Sequence, residues 1–227
     1  DSGRNLDMYY LGYRNREANY FQGTGDERRH TLGARIWGTR ERLTLNWEFI
    51  LQWGRFDSQD IEAWSIATDT QYALKRDPTT RVGLSANIAS GDKNPNDNKF
   101  GTFNALFPKS AYFSEASLLA PATLMDLQPT LALRLHEAVT TELGVQLAWK
   151  QRRADAVYTT PAPLAALPGS AGGERRIGTQ YKSETRWQVN DRWQWQLQLA
   201  WVDAGPALKQ AGGQDTLFAS IVGAWQW

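Results

Sequence analysis

The chain has 227 residues, 41% of them apolar, and its 25 basic and 24 acidic side chains nearly cancel. That balance excludes a disordered chain and a strongly basic nucleic-acid binder. The absence of cysteine removes disulfide frameworks, thiolate metal sites and thiol nucleophiles together, and a mean hydropathy of −0.54 with no long apolar run removes a transmembrane helix.

Alternation with period two dominates, and it predicts ten strands in chain order. The first, 6–20, carries Arg14 and Arg16, and the second, 28–40, carries Arg29 and Arg35. The third, 42–56, sets Leu43, Leu45, Trp47, Phe49, Leu51 and Trp53 against polar residues that include Glu48. The fourth, 61–75, carries Asp69, and the fifth, 80–91, carries Arg81. A long loop, 92–122, leads to the sixth strand, 123–136, with Asp126 and Arg134. The seventh, 138–153, alternates Val139, Leu143, Val145, Leu147 and Trp149 with Glu142 and Lys150, and ends at Arg152. A Pro/Ala/Gly-rich loop, 154–175, precedes the eighth strand, 176–189, which carries Lys182, Glu184 and Arg186. The ninth, 192–203, interleaves Trp193, Trp195, Leu197, Leu199 and Trp201 with glutamines, and the tenth covers 215–227.

Several of these segments far exceed the roughly 5–6 residues of an ordinary strand and reach the roughly 9–11 tilted residues that cross a bilayer. Short turns are expected after the even strands, at 39–42, 75–78, 136–138 and 190–192, with longer loops after the odd ones. Aromatic residues mark strand ends (Trp47, Trp53, Trp149, Trp187, Trp193, Trp201, Trp225), where amphipathic rings sit at headgroup level. The pattern predicts an all-β fold: one antiparallel transmembrane β-barrel domain over 1–227, with about ten strands and its short turns periplasmic. The alternative is a soluble β-sandwich or lipocalin-like barrel, whose apolar face is a core.

With the apolar face on lipid, the other face lines a lumen. Its expected members are Arg14, Arg16, Arg29, Arg35, Arg81, Arg134, Lys150, Arg152, Lys182 and Arg186, against Glu48, Asp69, Asp126, Glu142 and Glu184. A basic surplus of that kind favours anions in a pore. The competing reading is a wall knitted by cross-strand ion pairs that conducts nothing.

Catalytic and metal chemistry finds little support. His30 and His136 fall near opposite strand ends and cannot share a site, so the chain is read as a non-enzyme without cofactor or metal. Asp92-Lys93-Asn94-Pro95-Asn96 begins like a calcium loop but has Asp97 at the sixth position and Phe103 at the twelfth. A solvated turn is the reading there, and a weak calcium site the alternative. In the loop 92–122, the apolar segment 111–119 is expected to fold onto the barrel mouth.

Ordered segments carry a resemblance. Leu6-Asp7-Met8-Tyr9-Tyr10-Leu11-Gly12-Tyr13-Arg14, Glu27 to Gly38, Ala89-Ser90-Gly91-Asp92, Phe100 to Pro108, Ala111-Tyr112-Phe113 and Asp126-Leu127-Gln128-Pro129 together resemble the alginate export family of outer-membrane barrels. The resemblance implies a polysaccharide-export channel in the bacterial outer membrane, with a basic lumen for an acidic polymer and periplasmic export partners. It also implies a larger barrel, of about eighteen strands, of which this chain would be the C-terminal portion, an open curved sheet edged by 7–20 and 216–227. The function expected is a channel for an anionic polysaccharide such as alginate. The alternatives are an anion-preferring porin and a structural or adhesive barrel.

Overall fold

The computed structural model describes residues 3–74, 79–106, 119–159 and 164–226. Ten long strands form one antiparallel sheet: β1 (Arg4–Tyr20), β2 (Gly23–Arg40), β3 (Leu43–Phe56), β4 (Gln59–Ala73), β5 (Arg81–Ala89), β7 (Leu124–His136), β8 (Val139–Lys150), β11 (Arg176–Gln188), β12 (Trp193–Ala204) and β13 (Thr216–Trp225). They are paired in chain order. Three two-residue strands lie in the long connections: β6 (Lys99–Phe100), which adds to β4 in parallel, and β9 (Tyr158–Thr159), paired with β10 (Ala165–Ala166). The one helix among the described residues, α1 (Pro206–Gln210), starts on a proline, whose fixed φ suits the first helical turn. It is too short to cross a membrane.

The pairing path runs from β1 to β13 and does not close among the described residues. The sheet is therefore open as described, with β1 and β13 at its edges.

The two faces differ as the alternation requires. One carries exposed Leu6, Met8, Tyr10, Leu32, Trp47, Phe49, Leu51, Trp53, Val82, Leu84, Leu143, Tyr181, Trp195, Leu197 and Trp201; we call it the outer face. Isolated exposed apolar residues are ordinary, but a continuous band over all the long strands marks a surface meant for an apolar environment. The inner face holds amides, hydroxyls and charges, and the long connections fold over it at one end.

The turns correct one expectation. Long loops were expected after every odd strand, yet Phe21-Gln22 and Asp57-Ser58 are two-residue turns. The second strand starts earlier than expected, at Gly23, so Asp26 and Glu27 are strand, not loop, and the alternation sends Glu27 and Arg29 inward and Asp26 and Arg28 outward. Asp57 takes a left-handed φ of 49°, which aspartate tolerates, and its carboxylate accepts the Asp26 N–H at 2.8 Å. The long connections lie between β5 and β7, β8 and β11, and β12 and β13, and they build a cap at this end. Its core packs Tyr20, Phe56, Ile61, Phe100, Phe103, Ala156 and Tyr158. The flanks of the 92–122 loop thus do sit on the inner face; residues 111–118, named above as a mouth-narrowing segment, lie outside the described residues.

Candidate functional site

Below the cap, the inner face of β1–β5 encloses a cavity of about 680 Å³. Its roof is the backbone of Phe103–Leu106, held by Gln52: the side-chain amide donates to Asn104 O at 2.7 Å and accepts Asn104 N–H at 3.1 Å. Its walls come from alternate strand positions, so Tyr9, Arg35, Asn46, Glu48, Asp69, Ser85 and Asn87 all face it.

The polar groups of that wall are mostly tied to one another. Tyr9 donates to Glu48 Oε1 at 2.9 Å. Asp69 accepts Gln71 Nε2 at 3.0 Å and Ser85 Oγ at 3.2 Å. Arg35 differs. Its Nε donates to Asn46 at 2.7 Å and its guanidinium lies 5.5 Å from the centroid of Trp37, but it makes no ion pair among the described residues. Trp37 is fixed in turn by Asp7, which accepts its indole N–H at 2.6 Å. The cavity thus presents a guanidinium fork beside two aromatic rings, with carboxylates close by that are already engaged.

Farther round the sheet, the inner face is a network. Lys182 passes over Gly144, where a Cβ would stand 2.9 Å from Lys182 Cε, and donates to Gln128 at 2.8 Å. Gln128 and Gln146 both donate to Asp126. Arg81 pairs with Glu142 at 2.8 Å, and Arg186 with Glu184 at 2.5 Å, Glu184 also accepting from Gln198. Arg134 lies on the same face near the turn end, exposed and engaged.

Three expected lumen residues are elsewhere; Arg152 is exposed beyond the end of β8, in the connection that builds the cap. Arg14 stands on the outer face, in register with Arg28 and bonded to Asp26 at 3.0 Å, and Arg16 is exposed in a bulge between Asn15 and Ala18. The sequence of β1 offers apolar residues at both parities: Leu6, Met8 and Tyr10 on one, Tyr9, Leu11 and Tyr13 on the other. Pairing with β2 decides between them, because Tyr9 and Leu11 face Gly33 and Thr31 at the cavity. Arg29 is on the inner face but fully buried, with Glu27 at 2.5 Å, Gln52 at 2.7 Å and the Thr102 carbonyl at 3.2 Å as its partners. It pins the cap and is not open to a passing solute.

These placements remove the basic surplus. On the described inner-face strands, Arg29, Arg35, Arg81, Arg134, Lys150, Lys182 and Arg186 are matched in number by Asp7, Glu27, Glu48, Asp69, Asp126, Glu142 and Glu184. The expected set contains Arg14 and Arg16, which are not on the inner face, and Arg152, which lies beyond β8, and it lacks Asp7 and Glu27. Tyr9 and Trp37 were missed as site residues too, although both occur at the parity of Arg35.

The cap has its own polar centre. Lys150, fully buried, donates to the carbonyls of Arg153 (3.0 Å), Asp155 (3.3 Å), Ser170 (2.6 Å) and Gly172 (2.6 Å). Asp155 accepts from Asp92 N–H, Thr102, Ala156 N–H and Tyr158. Burial pushes the carboxyls of Asp92 and Asp155 above the usual carboxylate range, against the hydrogen bonds that hold them down. In 92–98, Asp92, Asn94 and Asp97 accept the N–H groups of Asn94, Asn96 and Lys99, so the segment is a run of side-chain-capped turns. No cluster of metal-ligating side chains occurs among the described residues. His30 stacks between Tyr10 and Trp53 on the outer face.

No curated protein matches the chain. A family model does: the model for alginate export matches residues 2–221, from the first described strand through most of β13, and the chain belongs to the alginate export family.

Proposed function

We propose that the chain forms wall and cap of an outer-membrane β-barrel channel that passes an acidic polysaccharide, without a catalytic step. Family membership supports polysaccharide export in general. The outer band of exposed apolar and aromatic side chains supports a lipid-facing wall whose cap end is extracellular. The observation that carries the choice of an acidic polymer is Arg35: a guanidinium that makes no ion pair among the described residues, in a cavity, beside Trp37 and Tyr9. A guanidinium fork takes a carboxylate through paired hydrogen bonds, and sugar faces stack on aromatic rings. The nearby Glu48 and Asp69 keep that grip weak, as conduction requires.

Planar-bilayer recording tests the reading. Arg35→Glu with Arg186→Glu should shift the reversal potential toward cations and abolish block by short oligouronates. Unchanged selectivity and block, with the protein still folded, would leave a structural wall. The pairs Arg81–Glu142, which spans β5 and β8, and Arg186–Glu184, within β11, favour that second reading, since they neutralise inner-face charges among the described residues.

A further inference from the structure

The outer face carries a feature that export does not use. Arg14, Arg28 and Arg55 stand side by side in one row across β1, β2 and β3: Arg14 is directly paired with Arg28, and Arg28 with Arg55. Like charges placed directly opposite on a sheet repel. Compensation within the chain is partial. Asp26 binds Arg14 through two hydrogen bonds of 3.1 and 3.0 Å and reaches only Nε of Arg28, at 3.4 Å. Asp60 approaches Arg55 no closer than 3.7 Å, while Glu62 is occupied by Lys99 and Asp57 by the Asp26 N–H. The side chains of Arg28 and Arg55 are 62% and 65% exposed, and among the described residues both terminal nitrogens of Arg28 lack a partner.

The row has a definite position relative to the apolar band. The next outward row toward the turn end, two residues along and so about 6.8 Å away, holds His30 and Trp53, in register with each other. Below it come Tyr10, Leu32 and Leu51, then Met8 and Phe49. Positive charge therefore sits directly above an aromatic row, and that row above an apolar surface, in the order in which an anionic lipid presents phosphate, glycerol or sugar, and acyl chain.

We propose that Arg14, Arg28 and Arg55 form a binding site for the phosphate of a membrane lipid in the leaflet at the cap end, its acyl chains lying on the His30–Trp53 row and the apolar rows beneath. The site rests on the reading of the outer face as lipid-facing. Guanidinium forks bind phosphate oxygens in pairs, and a phosphomonoester between Arg28 and Arg55 relieves the repulsion along the row. Arg14, held by Asp26, sets the edge of the site.

The test uses the full chain in phosphatidylcholine vesicles containing a small fraction of brominated lipid, either phosphatidic acid or phosphatidylcholine, with Trp53 emission isolated by difference from Trp53→Phe. Brominated phosphatidic acid should quench Trp53 more than brominated phosphatidylcholine at the same fraction. Arg28→Gln with Arg55→Gln should bring the two together, with a loss of roughly five-fold in enrichment per arginine, the order expected for one basic side chain at an anionic surface. The pair Arg28→Lys with Arg55→Lys should keep part of the preference, since it retains charge without the fork. Equal quenching by both lipids in the wild type, or a preference that survives the glutamine pair, overturns the site while leaving the wall reading intact. Quenching by neither lipid overturns the lipid-facing wall and the site with it.

Discussion

Tyr9 lies flat against the backbone of Gly33, its paired neighbour on β2, so closely that a Cβ at position 33 would stand 2.0 Å from Tyr9 Cζ. The missing side chain lets the ring reach across β2 and donate to Glu48 on β3, tying three strands together at the cavity wall. Gly33→Ala should therefore lift the ring tip off the sheet and break the bond to Glu48, costing about 1 kcal/mol, the usual net worth of a hydrogen bond. A double-mutant cycle from denaturant midpoints checks this. Tyr9→Phe should lower stability in the wild type and change nothing in Gly33→Ala, whereas equal losses in both would show that the ring had kept its bond.

Lys150 is the second testable pin. Its ammonium fills a cage of four carbonyls from the connection between β8 and β11, and no other donor is seen for the Ser170 or Gly172 carbonyl among the described residues. Lys150→Met keeps the stem and leaves those acceptors buried without a donor, at about 1–3 kcal/mol for each one that water cannot reach. The sheet does not depend on the cage. Limited proteolysis should cut within 151–172 in the variant while far-ultraviolet circular dichroism retains the strand signal.

How far the molecule was legible from sequence follows from what each signal measures. Alternation reports which residues share a face, so all ten long strands emerge near their observed limits, and Arg35, Arg81, Lys182 and Arg186 fall on the face assigned to them. It cannot orient a strand that is apolar at both parities. β1 is such a strand, and Arg14 was assigned to the wrong side because only the register with Gly33 and Thr31 reveals that Tyr9 and Leu11 point inward. The cap was illegible for another reason. The alternation puts Arg29 and Lys150 in the lumen and leaves Glu27 and Asp155 in connections, and only long-range packing of Thr102, Ser170 and Tyr158 onto them shows that they are sealed from water. Charge counting along the strands therefore overstated the basic character of the inner face.

The cap should respond to acid in an unusual direction. Asp92 and Asp155 have carboxyls raised by burial, so the folded cap binds protons more tightly than the unfolded segment does. A group raised in this way contributes most below its unfolded value, near 4, and that contribution is lost as pH climbs through the raised folded value. Acidification from neutrality should thus tighten the cap. Hydrogen exchange at Asp92 and Ala156, corrected for intrinsic rates, should slow as pH falls from neutrality toward the unfolded carboxyl value. Faster corrected exchange over that interval would mean that hydrogen bonding from Thr102 and Tyr158 outweighs the loss of hydration.

Arg29 and Arg35 separate a structural charge from a conducting one. Both lie on β2 at the inward parity, three alternate positions apart, and sequence alone gives them the same role. In the structure Arg29 is sealed under Thr102 and paired with Glu27, whereas Arg35 borders the cavity and makes no ion pair among the described residues. Removing one member of a buried pair strands the other charge, so Arg29→Met should destabilise the cap by about 3–5 kcal/mol. Adding Glu27→Gln should recover much of that loss, because the stranded carboxylate is gone. The recovered double variant should conduct with wild-type ion selectivity, since a neutral pair replaces a neutral pair behind the cavity wall. Arg35→Gln should cost little stability and move the reversal potential toward cations. If the rescued Arg29→Met/Glu27→Gln protein shifted selectivity as far as Arg35→Gln does, the buried pair would have to be exposed to the conduction path, and the cap would have to open during transport.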